Sequence, residues 1–383
     1  MLLNFLKKID FTIIFCMLPI MVAGILTMST LINKNNFLHN FLSDIFFFKQ
    51  TLFIFLALFI FIFISFLDYR FLRDSYAVMS FYGFSLLLLI LLIPFGHTVH
   101  GTKAWFDFKF FSFEPADLMK LSLIILLAKY FSKRHLEIAN VKHILISFLY
   151  MFIPVLLIMK QPDLGSAIVL VAIWSGLVFV SGISKKHLLI LVGLGLFSFI
   201  LLWNFYFKAY QKARVLNFIN PNYDLKGSGY NVYQSLIAVG SGGFWGKGMG
   251  YGTQSRLNFL PEHETDFIFA AFLEEWGWFG GLIIFILFAI LIFHLTRMAI
   301  KAESNFETLF ILGVAIYFVA HLVINIGMNL GLMPVIGIPL PLMSYGGSHL
   351  VIESLALGLC VGMNRYAKAS HLSKFKNEFL GLE

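Results

Sequence analysis

The sequence predicts an all-α polytopic membrane protein of about ten transmembrane helices, with one long outer-face loop between helices seven and eight. Three observations predict it. Of 383 residues, 59% are hydrophobic and 13% charged, whereas a soluble chain carries roughly 45–50% apolar and 25% charged residues. The apolar residues gather in runs near the ~20 residues that a bilayer core requires. Aromatic residues reach 17%: 46 Phe suit a lipid-facing surface, and 14 Tyr and 6 Trp suit the headgroup level. This balance excludes a soluble enzyme, a disordered chain and a fibrous protein.

The runs fall at 11–31, 50–67, 76–95, 116–132, 144–159, 165–182, 188–205, 267–293, 307–330 and 349–363. Lys7 and Lys8 before the first run mimic a signal peptide, but the run is span-length and lacks an A-x-A cleavage site, so it reads as a retained helix. Ten spans place six basic clusters on one side: Lys7/Lys8, Arg70/Arg73, Lys133/Arg134/Lys142, Lys185/Lys186, Arg297/Lys301 and Arg365/Lys368/Lys374/Lys376. Under the positive-inside rule that side is the cytoplasm, so the expectation is a multi-pass membrane protein with both termini cytoplasmic. The same rule accounts for the net charge of +8 without a nucleic-acid partner. Cys16 and Cys360 stand far apart inside apolar runs and form neither a disulfide framework nor a metal cluster.

The whole chain, 1–383, reads as a single integral membrane domain, and 206–265 is its large extracytoplasmic loop. Loops this long are usually functional. It is rich in glycine and aromatics and carries Lys208, Lys212, Arg214, Lys226, Lys247 and Arg256. It reads either as a solvated loop or as an outer-face site for an anionic substrate, with short amphipathic pieces such as Val232–Val239 at the membrane interface.

Charges at membrane depth are costly and point to function. Four places carry them or an equivalent irregularity. In "FEPADLMKLSLI", Glu114, Asp117 and Lys120 sit at the mouth of the fourth span, and the three-residue spacing of Asp117 and Lys120 allows a pair on one helix face. That pair either pins the helix or serves the site. In "KQPDLGSA", Pro162 and Gly165 bracket Asp163, which reads as a capped turn between two spans. In "LPEHETDFIFAAFLEEWGWFGG", Glu262, Glu264 and Asp266 crowd the start of the eighth span. With Thr265 as N-cap, Asp266 falls in the first helical turn, where the dipole favours its charge. At 100° per residue Glu274 lies about 80° from Asp266 and Glu275 about 180° away, so the three acids do not share a face of a straight helix. Asp266, Ala270, Leu273 and Gly277 form one stripe; Glu274 and Glu275 read equally well as buried pairing partners. In "GLMPVIGIPLPLMSYGGSHLVIESLALG", Pro334, Pro339 and Pro341 force irregular backbone at membrane depth, which is tolerated only when buried or lining a wet cavity. Ser344, Gly346, Gly347 and Ser348 then open the last span with N–H groups that form an anion cradle.

His97 and His100 stand three residues apart without a metal-ligand spacing around them, and His263 lies between two glutamates in the loop. There is no P-loop, dinucleotide fingerprint or H-E-x-x-H motif, so no organic cofactor is expected. The residues alone describe an outer-face cavity with one strong carboxylate, several cations and aromatic walls. A transporter and a lipid-substrate enzyme both fit that description.

Four separated motifs resolve the choice: "GTKAWFDF…FEPADLMK", "KQPDLGSA", "GSGGFWGKGMGYGTQSRLNFLPEHETDFIFAAFLEEWG" and "NIGMNLGLMPVIGIPLPLMSYGGS". From Gly101 to Asn364, in this order, they resemble the SEDS family of bacterial shape, elongation, division and sporulation proteins. The resemblance implies a ten-span peptidoglycan glycosyltransferase that polymerises lipid II on the outer face of the membrane, for cell elongation and rod shape. It implies a class B penicillin-binding protein as the transpeptidase partner, alongside other elongation-complex membrane proteins. The family's essential acid in "TDFIF" falls on Asp266, and its "Q-P-S-E-x-x-K" motif falls on Glu114, Pro115, Ala116, Asp117 and Lys120. This chain departs there, with Glu for Gln, Ala for Ser and Asp for Glu.

The implied reaction is attack of an acceptor 4-hydroxyl on C1 of a sugar whose leaving group is undecaprenyl pyrophosphate. A hydroxyl needs a positioned base, and the family reading makes Asp266 that base. The leaving group needs cations or a metal: Lys120, Lys103, Lys247, Arg256 and Arg214 are the candidates, with a divalent cation (Mg or Mn) beside them. Glu262, Glu264 and Asp163 are supporting acids. Direct displacement inverts the anomeric centre. A lipid II flippase and a non-catalytic scaffold of the cell-wall synthesis complex are the alternatives.

Overall fold

A computed structural model describes residues 10–30, 45–99, 102–108, 111–133, 141–220, 224 and 228–379. Of the residues named above, Lys7, Lys8, His100, Gly101, Arg134 and Lys226 lie outside the described residues. Each of the ten expected runs is a helix. They are α1 (Phe11–Thr30), α2 (Ile45–Phe66), α3 (Ser75–Phe95), α4 (Pro115–Ser132), α5 (Val141–Lys160), α6 (Leu164–Val180), α7 (Lys185–Phe205), α11 (Ile268–Ile300), α12 (Asn305–Asn329) and α13 (Gly347–Phe379). Three further helices, α8 (Ala209–Ile219), α9 (Ser228–Gly242) and α10 (Thr253–Arg256), fill the connection between α7 and α11. The chain is therefore an all-α polytopic membrane protein.

The helix α4 carries Asp117, Lys120 and Lys129 and survives as a helix because protein surrounds it. All but three of its residues are buried, packed by α3, α12 and α6. A helix apolar on every side but for a few paired charges belongs in the centre of the bundle. On the other side of the bundle α2 runs along α13, and α1 packs on α11.

Residues of three of the basic clusters tie elements together at one end of the bundle. Arg73 pairs with Glu307 at 2.7 Å, Lys133 donates to the Ser75 hydroxyl at 2.9 Å, and Arg365 donates to the Phe66 carbonyl at 3.0 Å. Near that end His294 meets Asp10 at 2.8 Å. Burial pushes the Asp10 carboxyl up, but its hydrogen bond and attraction to His294 outweigh this and hold it below the usual range.

At the opposite end the starts of α4, α6 and α13 converge. The Glu114 amide donates to Ser348 Oγ at 3.1 Å, and Ser166 Oγ donates to Glu114 Oε1 at 3.3 Å, so three helix N-termini are tied together through side chains.

Three features depart from the sequence-based expectation. A small antiparallel sheet, β1 (His97–Val99), β2 (Thr102–Asp107) and β3 (Ser112–Phe113), occupies the segment before α4. The helix α11 begins at Ile268 with Phe267 in the N-cap position, so Thr265 is not the cap and Asp266 lies in the turn before the helix. The helix is also not straight: Gly277 takes φ 66° and ψ −172°, which separates the stripe drawn through Gly277 from the turns before it. The break is clamped, since Trp278 and Phe279 donate to the carbonyls of Gly243 and Phe244, and Lys247 and Gly248 donate to those of Glu274 and Glu275. A Cβ on Gly277 would stand 2.3 Å from the Gly246 nitrogen, so only glycine fits.

The segment Val232–Val239 is helical within α9. Its Ser235, Ala238 and Val239 are buried, and α9 packs on α11 rather than lying free at the interface.

Candidate functional site

A cavity of about 1520 Å³ opens among the convergent helix starts and continues between α5, α6 and α7. Its polar end is lined by Glu114, Asp117, Lys120, Asp163, Glu262 and Asp266, with Lys49, Arg214, Ser348 and His349 beside them. Its other arm is apolar: Phe148, Phe152 and Leu156 of α5, Val171 of α6 and Leu194 and Phe199 of α7. Thus the chamber has a charged head and a hydrocarbon-lined tail. The sheet closes one side, where Thr102, Ala104, Trp105 and Asp107 line the wall.

Asp266 reaches this chamber from a turn held by α12. The side-chain amides of Asn325 and Asn329 each donate to its main-chain carbonyl at 3.0 Å, and both asparagines are fully buried. Asn329 Oδ1 also accepts from the Ala270 amide at 3.0 Å, fixing the first turn of α11. The turn itself is closed by Phe267 and Thr265 donating to the Glu262 carbonyl. The carboxylate of Asp266 rests against the irregular segment before α13: a Cβ on Gly337 would lie 3.3 Å from Asp266 Oδ2.

Lys120 and Asp117 form an ion pair at 2.9 Å, with both side chains almost wholly buried. The pair fixes α4 and still lines the cavity. Removing one partner of such a pair leaves an uncompensated buried charge, costing about 3–5 kcal/mol. Asp163 is the N-cap of α6 and accepts from the Ser166 amide at 3.1 Å, as a capped turn requires, and it too faces the cavity. Arg214 projects from α8 into the wall.

Other expected residues are placed differently. Lys103 does not line the cavity; its ammonium donates to the Ile93 carbonyl at 2.6 Å and closes the end of α3, where carbonyls lack helical partners. Lys247 bonds Glu274 at 2.8 Å and Thr253 at 2.9 Å, and Arg256 reaches the Gly250 carbonyl at 3.5 Å; neither lines the chamber. These three cations leave the set that faces a ligand there.

Glu274 is fully buried and accepts from the backbone N–H groups of Thr253, Gln254 and Ser255, while Glu275 accepts from Gly250. Both acids are pairing partners that fold the loop onto α11. Glu264 is outside the cavity wall; its carbonyl accepts from Tyr345. Glu262 lines it, and its carboxylate accepts from the Thr265 hydroxyl at 2.9 Å.

The turn before α13 is only partly an anion cradle. Ser344 is buried, donating to the Thr265 carbonyl and accepting from the Leu340 amide, and the Gly346 amide is taken by Gln50 Oε1 at 3.2 Å. Gly346, Gly347 and Ser348 line the chamber; Ser344 does not.

Lys49 and His349 were not singled out from the sequence. Lys49 follows four apolar residues at the start of a span, where a snorkelling lysine is ordinary. Only the fold shows that it faces the cavity, without a hydrogen-bond or ion-pair partner among the described residues. Among the described residues no three of His, Cys, Asp and Glu form a metal-binding group. The donor set therefore does not fit a protein-only cage.

These features define a membrane-embedded site with a carboxylate, cations and helix N-termini at the head of an apolar groove. The chain belongs to the FtsW/RodA/SpoVE family of cell cycle proteins, whose model matches residues 10–369. It is 36% identical to the peptidoglycan glycosyltransferase MrdB of Escherichia coli over 287 residues, covering 75% of this chain and 77% of that protein. It is 36% identical to the stage V sporulation protein E of Bacillus subtilis, covering 85% and 89%. Among solved structures it matches a chain of a peptidoglycan synthase complex coordinating polymerization and crosslinking (TM-score 0.77, 31% identity, 94% of this chain and 98% of that one). The rod shape determining protein RodA of Thermus thermophilus matches with TM-score 0.68 and 29% identity, over 93% and 96%.

Proposed function

We propose that this protein is a peptidoglycan glycosyltransferase that polymerises lipid II into glycan strands on the outer face of the bacterial cytoplasmic membrane, serving cell elongation. The observation that carries the reading is the placement of Asp266 at the charged head of a cavity whose other arm is hydrocarbon-lined. Lipid II has the same division: a sugar and pyrophosphate head on a polyprenyl tail. The glycosyltransferase name of the E. coli relative supports the reaction class.

In this mechanism Asp266 accepts the proton of the acceptor 4-hydroxyl as that oxygen attacks C1 of the donor sugar. The buried asparagines set the position of the turn, so the carboxylate needs little reorganisation. Charge then develops on the departing pyrophosphate. Lys49, Lys120 and Arg214 face it, and the N-termini of α4, α6 and α13 add their dipoles. The tail lies along α5, α6 and α7. In-line displacement inverts the anomeric carbon.

Mg²⁺ commonly binds one or two carboxylates plus substrate phosphates. A divalent cation brought with the pyrophosphate would add charge stabilisation at Glu262 and Asp266, and no step above depends on it. The termini lie on the cytoplasmic side in this reading, with the basic end of the bundle. A class B penicillin-binding protein is the partner, which the similarity to a chain of a synthase complex supports.

The test is polymerisation of purified lipid II by the purified chain with its cognate class B penicillin-binding protein. Glycan strands that depend on this chain are expected. Transfer of lipid II across vesicles without polymer would replace the reading by the flippase.

A further inference from the structure

We propose that Glu114 donates a hydrogen bond, through a carboxyl O–H, to the phosphate oxygens of the substrate headgroup. The proposal rests on the reading of the cavity as a site for a polyprenyl pyrophosphate.

Three carboxyl groups and one ammonium group meet where α4, α6 and α13 begin. Lys120 is committed to Asp117 at 2.9 Å. Asp163 takes the Ser166 amide at 3.1 Å as the cap of α6. Glu114 stands at the N-cap position of α4 but its side chain takes no N–H from that helix. Among the described residues it accepts only the Ser166 hydroxyl, on Oε1, at 3.3 Å. Of the three acids its anion is the least compensated, so the proton that this crowded site must retain rests there. Burial, and then the charge of Asp117, push the Glu114 carboxyl well above the usual range, against the weaker pull of Lys120 and the Ser166 hydrogen bond.

The two oxygens are thereby distinguished. Oε1 is the carbonyl end held by Ser166, and Oε2, which has no partner among the described residues, is the hydroxyl end of a side chain that lines the cavity. The titratable or charged groups that act on it are Asp117 and Lys120 on α4, Asp163 before α6 and Tyr317 on α12, and the same cavity is lined further by His349 on α13, Lys49 on α2 and Asp107 on β2. Asp117 keeps one buried oxygen, Oδ2, without a donor among the described residues, which adds to the negative field on Glu114.

The ionised oxygens of a diesterified pyrophosphate only accept, so they attract the protonated acid and repel the ionised one. Binding is therefore complete below the pKa of Glu114 in the folded protein and is lost as pH rises through it. Glutamine has the same shape: its carbonyl can meet Ser166 and its N–H₂ can point where the O–H stood. It also has no proton to lose.

The experiment uses the purified full-length chain, wild type and Glu114→Gln, with inorganic pyrophosphate as the probe for calorimetry over a pH series. Titration of the probe itself is common to both proteins. Glu114→Gln should bind within about threefold of wild type at neutral pH, while Glu114→Ala should weaken binding about ten- to hundredfold, the usual worth of a hydrogen bond to a charged group. Wild-type affinity should fall at alkaline pH relative to Glu114→Gln. The infrared difference between the two proteins at neutral pH should show a neutral-carboxyl C=O band. A carboxylate signature instead, or identical pH dependence for both proteins, overturns the proposal. If the pH signature is present but the wild type makes no polymer with its partner, the glycosyltransferase reading fails and the Glu114 assignment stands. Polymer without the signature has the opposite meaning.

Discussion

Asn329, on α12, holds Asp266 through the main chain: its amide donates to the Asp266 carbonyl at 3.0 Å while its side-chain oxygen accepts from the Ala270 amide at 3.0 Å. Asn325, one helical turn earlier, donates to the same carbonyl and also to that of Ile338 at 2.7 Å. Two buried side chains thus join the turn before α11 to the irregular segment before α13. The acid gains a fixed position although it belongs to no helix.

Replacing Asn329 by Ala should therefore reduce polymerisation more than it reduces folding. The Ala270 N–H loses its partner, at a cost of about 1–3 kcal/mol, while Asn325 still holds the Asp266 carbonyl. Thermal unfolding and single-turnover polymerisation of the same preparation separate the two effects. Full activity in a destabilised variant would contradict a positioning role.

Gly337→Ala tests the contact on the other side of Asp266. Gly337 has φ +78° and the added methyl would stand 3.3 Å from Asp266 Oδ2. The left-handed conformation alone costs a side chain about 1–2 kcal/mol, and the carboxylate must shift. The expected outcome is a lower kcat with KM little changed, measured in a polymerisation assay.

Lys49 and Lys103 should behave oppositely. Lys49→Ala removes a cation from the cavity wall and should raise KM for lipid II about tenfold or more, as loss of a hydrogen bond to a charged group does. Lys103→Ala removes a helix-end contact, worth about 0.3–1 kcal/mol, and should leave kinetics unchanged. Equal kinetic losses would return Lys103 to the site.

Glu274 organises the loop. It accepts from Lys247 at 2.8 Å, from three consecutive backbone N–H groups and from the Thr253 and Ser255 hydroxyls. Glu274→Ala leaves those donors unmet around a buried site, and a loss of about 3–5 kcal/mol is expected. Folded yield and melting temperature should fall sharply, whereas Glu262→Gln should leave both near wild type.

The ten helices were legible because burial in lipid or protein requires apolar runs of one length, and that requirement is written residue by residue. The Asp117–Lys120 pair was legible for a related reason, since residues three apart on a helix are neighbours. What escaped the sequence was long-range. Lys103 and Lys247 look like ligands for an anion as well as any cation in the chain, and only tertiary contacts direct them to the end of α3 and to Glu274. Lys49 looks like an ordinary interfacial lysine until α2 is packed along α13. The sheet before α4 escaped because β1 and β3 have only three and two residues, too short for alternation to register. The break at Gly277 could be suspected from the glycine, but its partner turn at Gly243–Gly248 could not.

The central claim, that Asp266 is the base, is tested most directly by polymer length on a gel for purified Asp266→Asn with the partner present. Asparagine keeps the size and the main-chain contacts to Asn325 and Asn329 but cannot accept the proton. Normal folding, normal partner binding and polymerisation reduced about 10²–10⁴-fold are expected, the usual worth of a positioned base. Near-normal polymer from that variant would contradict the claim.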